Sequence, residues 1–542
     1  MKRFWLVLLS LGLIVAFSTQ AMAVDLKITG EYYAAGMYLD KTTLHKNPST
    51  IPWTLSSRMS PTDVPSSYPE NPGPSTAFYF QRLRLNAELT MAPGFTFVTR
   101  ADVMERAWGA ARSTPAGGLN AVAAPSNTNV DSAGTRAENE NIAFDLAYVS
   151  YISPIGMFNV GYQIDKKWGT VFGDNSVPNG QILYGIRLGG WTGAFIMGKE
   201  SQLQALLGAA GEQSNPRGQY MGKAITVGGN PVNIDLADLN NNADADTNYY
   251  NLVNYYNWKN GEAGLLLRYQ RVAAPREINL SMNTPAGMGL DDLLQMVGYS
   301  VPNIYEPKID LYIMAPYFKQ KIGNVSLEGE IHYVFGKWAM ESQPSPSAKL
   351  VQPNLGDDIR VDVLNVYLNA DADLGKFYVG GSLAYLSGDD PNDNVDRTIG
   401  LDGGAEWNPC LIMWNRDRTQ WAGSLNGYTV DKDVLSNTTA SLDGPMYNAW
   451  FFQVRGGVRP VEKLDIGMSI SYANAVVKPT NAWLYNDYGW EVDLTGTYKI
   501  TNNLTYMLGG AYLFTGKFFK ANNDANEIQD DYMLLNKLTL TF

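Results

Sequence analysis

Apolar side chains recur at every second position through much of this 542-residue chain, and that period of two is what most limits its fold. In one segment Leu83, Leu85, Ala87 and Leu89 share a face while Arg82, Arg84, Asn86 and Glu88 share the other, which is the geometry of a strand. The same stripe runs through Phe158, Val160, Tyr162 and Ile164, through Leu464, Ile466, Met468, Ile470 and Tyr472, and through Trp490, Val492, Leu494, Tyr498 and Ile500. Connections between stripes alternate between tight turns and long polar loops. The tight ones fall near Pro93-Gly94, Pro154-Ile155-Gly156, Gly189-Gly190, Asn260-Gly261, Gly323-Asn324, Leu374-Gly375, Val461-Glu462 and Asn502-Asn503. These eight hairpins, with a first strand over 26–39 and a last over 532–542, predict 18 antiparallel strands, within a range of 16 to 18.

The ends say what the apolar faces meet. Lys2 and Arg3 precede an apolar stretch from Phe4 to Phe17, and Ala21-Met22-Ala23 fits a signal-peptidase site, so 1–23 reads as a signal peptide and 24–542 as the mature domain. Beyond it no run reaches the roughly 18 to 20 apolar residues of a transmembrane helix. The chain holds 32 Tyr, 13 Trp, 19 Phe and 52 Gly and ends on Leu538-Thr539-Leu540-Thr541-Phe542. Alternation with aromatics crowded at strand ends, as in Tyr249-Tyr250, Tyr255-Tyr256 and Tyr317-Phe318, suits strands with one face on lipid and one on water. The fold class is therefore all-β, a transmembrane antiparallel up-and-down β-barrel with short periplasmic turns and long extracellular loops. At this size the barrel should leave an aqueous channel. A secreted β-sandwich or β-solenoid is the alternative for the same stripes.

Formal charge is -12, and removing Lys2 and Arg3 takes the mature chain to about -14. The excess sits in loops: 389–445 holds ten acids against four bases, and 201–248 five against two. This sign excludes nucleic acid as a partner and reads as solvated loops. Cys410 is the sole cysteine, which rules out an intrachain disulfide, and a buried thiol is its expected state. His45 and His332 are the sole histidines, so an outer-membrane hydrolase would have to place one of them beside a serine. The chain is not expected to be an enzyme.

Parity assigns the lumen. Arg82 and Arg84 fall on one face with Arg100, Asp102 and Arg106 across the turn at Pro93-Gly94, with Arg84 opposite Arg100 or Asp102; either register makes a compact, mainly basic cluster. Arg187, Arg268 with Gln270, and Gln453 with Arg455 and Arg459 point inward by the same test. Facing acids are Glu31, Asp145, Glu328, Glu330, Glu491 and Asp493. Opposed basic and acidic strips filter polar solutes, and they also hold a wall rigid by cross-strand pairs. No cofactor is expected. Asp389, Asp390, Asp393 and Asp396, or Asp235, Asp238, Asp244 and Asp246, offer oxygens for calcium, but neither set has EF-hand spacing. Stretches 202–210 and 290–297 read as short amphipathic helices in loops.

With the signal, the Phe542 terminus, Val24-Asp25-Leu26-Lys27 and the loop from Ser387-Gly388-Asp389-Asp390-Pro391 to Trp407-Asn408-Pro409-Cys410, the chain resembles the outer-membrane porins of metal- and sulfate-reducing bacteria. It is more distantly similar to the Arg-lined 18-stranded barrels that export alginate or take up carboxylates. The resemblance implies a homotrimeric porin in the bacterial outer membrane, in contact with lipid and lipopolysaccharide and passing small hydrophilic solutes. It also implies that Phe542 is an assembly signal. Lumen arginines would bias such a channel toward anions such as organic acids. A barrel that sheaths a multihaem cytochrome or guides an exported polysaccharide is the second reading.

Overall fold

A computed structural model describes residues 24–46, 75–108, 142–202, 224–227, 230–233, 246–273, 307–340 and 358–390, and 392–542 with breaks at 394, 398–403, 405, 424, 426–427, 432–436, 441 and 480. The signal segment, the Asp235–Asp244 acids and the two amphipathic loop stretches lie outside these residues, except for Gln202 at the start of the first stretch.

Eighteen strands close into one antiparallel barrel. They are β1 (Asp25–Leu39), β2 (Thr76–Ala92), β3 (Phe95–Ala107), β4 (Ile142–Ser153), β5 (Gly156–Lys167), β6 (Asp174–Leu188), β7 (Trp191–Gln202), β8 (Asp246–Trp258) and β9 (Gly261–Ala273). The second half comprises β10 (Pro307–Ile322), β11 (Val325–Met340), β12 (Ile359–Asp373), β13 (Phe377–Leu386), β14 (Ala449–Val461), β15 (Leu464–Ala475), β16 (Asp487–Lys499), β17 (Leu504–Thr515) and β18 (Asp531–Thr541). Every strand pairs with its sequence neighbour, and β1 pairs with β18 from Glu31↔Thr541 to Leu39↔Met533, so the sheet has no edge. All eight tight turns fall at one end, and glycine does the turning in several of them: Gly94 has φ +76°, and a Cβ there would meet the Ile152 carbonyl at 2.6 Å. No helix among the described residues is long and apolar enough to cross a membrane.

The outer face is apolar. Val160, Tyr162, Leu252, Val454, Met468, Leu494 and Leu508 are all exposed along it. Tyr250, Tyr269, Tyr312 and Phe335 sit in register on four adjacent strands, with ring centroids 6.3, 5.2 and 5.4 Å apart, and form an aromatic belt. Such a surface is costly in water and stable in a bilayer, where a closed barrel leaves no backbone group unpaired toward lipid.

The interior departs from an open tube. One apolar cluster lines the inside of β1, β2 and β12 to β18 with Tyr33, Met37, Phe80, Tyr367, Phe451, Leu513 and Met533. It is completed by Trp407, Ile412, Met413, Trp414, Trp421 and Leu442 from the connection between β13 and β14, and these residues fold into the lumen rather than out into solvent. This corrects the reading of 389–445 as a solvated loop. Its acids had suggested exposure, while its tryptophans and methionines decide its position. A second cluster lines β9 to β12 with Leu311, Ile313, Val334 and Val361 facing inward. There both faces of a strand are apolar, so period-two reading alone could not assign them.

Candidate functional site: a constricted, charged lumen

Two segments fold inward and meet. The first, 168–174, leaves β5 through a short 3-10 turn, Val171–Gly173. Trp168 Nε1 donates to the Ala315 carbonyl (2.8 Å), where Pro316 interrupts the ladder of β10. The Glu330 carboxylate accepts from the Thr170 N–H and Thr170 Oγ1 (2.7 Å each) and contacts His332 Nε2 at 2.7 Å. Gly169, at φ +59°, and Gly173 flank that carboxylate, and a Cβ on either would strike it. Phe172 stacks on Tyr367 at 5.2 Å.

The second segment carries helix α1 (Arg416–Ala422), N-capped by Asn415, whose Oδ1 accepts from the Arg418 N–H at 2.9 Å. Arg418 is fully buried and donates to the Ile412, Gly423 and Leu442 carbonyls while pairing with Asp443. The wall grips this segment from below. Glu491 accepts from the Ile412 N–H (2.6 Å) and the Met413 N–H (2.7 Å), Gln453 donates to the Pro409 carbonyl (2.6 Å), and Trp421 stacks on Phe80 at 4.8 Å. Burial, with Glu491 and Asp493 close by, pushes the Cys410 thiol well above its ordinary range. The two segments join where the Gly404 N–H donates to the Phe172 carbonyl (2.7 Å) and Ser176 donates to Glu406.

Charged residues line the wall in three groups. On β1 to β4, Arg84 lies opposite Asp102 and makes two 2.7 Å bonds to it. Arg100 Nε donates to Asp145 at 3.1 Å, and Arg82 lies 3.6 Å from Glu31 and 3.7 Å from Glu105. Three arginines thus face four carboxylates, so this group is charge-compensated and not mainly basic. A bulge at Met104, φ 54°, shifts the phase of β3. It puts Glu105 on the face expected for Arg106 and sets Arg106 opposite Gln81, the outward phase of β2.

On β5 to β9, the Asp165 carboxylate accepts from Arg268 Nη1 at 2.8 and 2.9 Å in a nearly dry cluster, with the guanidinium 3.9 Å over the Tyr249 ring. Asp165 and Glu200, which holds Lys166 and Gln270, were not singled out from sequence, although Asp165 has the inward parity of its strand. Toward the turns, Arg455 binds Asp371 (2.6 and 2.7 Å) and Asn369, Arg459 reaches Asp465 and Asp373, and Glu328 accepts from Tyr367 and Asn369. Glu330, Glu491, Asp493 and Arg268 are on the inner wall yet covered, because the inward segments lie over the two carboxylate sites and the Asp165 cluster encloses the arginine.

Beneath segment 168–174 lies a cavity of about 800 Å³ walled by Leu183, Ala194, Ile196, Val253 and Trp168 and rimmed by Arg187, Lys167 and Lys319, with Asp174 and Glu262 as its acids. Arg187 forms no ion pair among the described residues, and Glu262 accepts the Tyr317 hydroxyl hydrogen at 2.5 Å. The Asp389 loop is tied internally: Asp390 accepts from Asn392, and Asp393 holds Arg397, whose affinity for its proton rises in consequence.

A closed 18-stranded sheet with an apolar belt outside and a loop-narrowed lumen that holds groups of paired charges defines a transmembrane barrel of porin architecture. No family model matches this chain, and no curated protein matches it. Among solved structures it is similar to OccK9 (OpdG) of Pseudomonas aeruginosa, at 12% identity over 96% of this chain and 99% of that one, with a TM-score of 0.41. OccK2 (OpdF) of the same organism, solved with glucuronate, gives 9% identity over 96% and 98% at 0.42. An anion-selective porin from Comamonas acidovorans gives 11% over 96% and 100% at 0.37.

Proposed function

We propose that this protein is a porin of the bacterial outer membrane, a passive channel for small hydrophilic solutes with a bias toward anions such as organic acids, working as a homotrimer. The observation that carries the channel reading is the closed barrel whose lumen holds charged groups behind an apolar outer belt. The anion bias rests on the cavity rim, where Arg187, Lys167 and Lys319 outnumber Asp174 and Glu262. A carboxylate passing there would meet guanidinium and ammonium donors without having to displace a partner from Arg187. The filled part of the lumen counts against a sheath around a folded partner, since Trp407, Ile412, Met413, Trp414, Trp421 and Leu442 already occupy that space.

Planar-bilayer recording of the purified protein tests this. Stepwise conductance with a reversal potential on the anion side of zero in a salt gradient is the expected result. A protein that inserts and passes no current would remove the channel reading, and a cation-side reversal potential would remove the anion bias.

A further inference from the structure

We propose that Cys410, Glu491 and Asp493 form a site for a borderline divalent cation of the zinc type, which clips the inward segment to the barrel wall. Their ligand atoms lie within 4.8 Å of one another, and all three residues are buried. Zinc bonds of about 2.0–2.3 Å would set those atoms about 3.3–3.8 Å apart, so rotations of roughly 1 Å close the site.

Three observations point to a cation rather than to a packed thiol. Asp493 Oδ2 accepts from Ser469 Oγ at 2.9 Å, but its Oδ1 is buried without a hydrogen-bond partner, in a residue only 5% exposed. An orphaned carboxylate oxygen is expensive to bury. Neither Glu491 nor Asp493 has a lysine or arginine in ion-pair reach among the described residues, so two carboxyl groups within hydrogen-bond reach of each other stand in a dry site with N–H and O–H donors, the Leu411 N–H to Asp493 among them.

The sulfur also has a hydroxyl neighbour that can serve a thiolate. Gln453 Nε2 faces the Pro409 carbonyl at 2.6 Å, which fixes its amide, and its second hydrogen goes to Ser471 Oγ at 3.1 Å. Cys410 Sγ donates to Ser471 Oγ, 3.2 Å away, and as a thiolate it would accept from the same hydroxyl. Glu491 keeps one lone pair on each oxygen after accepting from Ile412 and Met413. A thiolate with carboxylates selects zinc-like ions over calcium or magnesium.

Cobalt is the probe. The full-length barrel in detergent, stripped with a chelator, should gain thiolate-to-cobalt charge-transfer absorption that saturates at one equivalent per chain and is displaced by zinc. Cys410→Ser should abolish the band, and Asp493→Asn should weaken zinc binding by roughly tenfold or more. Heat-modifiable migration shows whether each variant has assembled. Absence of the band in the wild-type protein, or unchanged zinc affinity in assembled variants, would overturn the proposal. If neither variant assembles, the wild-type cobalt spectrum decides alone.

Discussion

Replacing Arg82, Arg84 and Arg100 together by Gln is the sharpest test of which wall the permeating ion meets. The β1 to β4 group holds three arginines against Glu31, Asp102, Glu105 and Asp145, so the change takes its formal charge from -1 to -4. One unit charge at about 7 Å acts on a monovalent ion with roughly 0.6 kcal/mol at the dielectric of water, or about 1.8 kcal/mol for three. Screening with a Debye length of about 10 Å at 0.1 M halves this to roughly 0.9 kcal/mol, a factor of about 4 against anions and the same in favour of cations. The cation-to-anion permeability ratio should therefore rise about 20-fold at 0.1 M and only about twofold at 1 M, where the Debye length is roughly 3 Å. Reversal potentials in graded KCl measure it. Arg397→Gln with Arg416→Gln is the control, because both pair with acids inside the loop; Arg418 is unsuitable, being fully buried under the segment it holds. A ratio that changes less than twofold at 0.1 M would mean that the ion does not pass this wall.

Deleting Phe542 should lower the assembled fraction on heat-modifiable gels and leave the unit conductance of surviving channels unchanged, since Phe542 exchanges both backbone hydrogen bonds with Gly30 at the closing seam, at 2.8 and 3.0 Å; normal assembly would contradict this. Arg268→Met strands Asp165 in a site where the two side chains are 1% and 3% exposed, and should destabilise the barrel by about 3–5 kcal/mol in urea unfolding from vesicles. Adding Asp165→Asn should recover most of that, and a double variant as unstable as the single would refute the pairing argument. Glu330→Ala removes the acceptor of both Thr170 bonds, about 1.5–3 kcal/mol each, and should free segment 168–174, seen as larger and noisier single-channel currents.

The barrel was legible in the sequence because lipid on one side imposes an apolar residue at every second position, and because seven of the eight turns carry Gly, Pro or Asn at the bends. Register was legible up to a choice: Arg84 had two allowed partners, and the structure takes Asp102. Arg106 shows where parity stops, since the single bulged residue Met104 reverses every later face of β3. The constriction was not legible for a different reason. Glu330 and Glu491 have the inward parity of wall residues, but what covers them comes from 168–174 and from Ile412 and Met413, and pattern within a loop does not say which way it folds. The apolar content of Trp407, Ile412, Met413, Trp414 and Trp421 was the available signal, outweighed in the reading by the surrounding acids.

The inward connection between β13 and β14 has a mechanical consequence. Trp414 and Trp421 are about 99% buried against the wall, and withdrawing either exposes a large ring, at roughly 25 cal/mol for each Å² returned to water. Widening the aperture on that side would mean dissolving part of the molecule's own core. The pore on that side is thus a sieve of fixed mesh, and a more adjustable aperture lies with the smaller segment 168–174, which is anchored by one carboxylate, one indole and the single phenyl ring of Phe172.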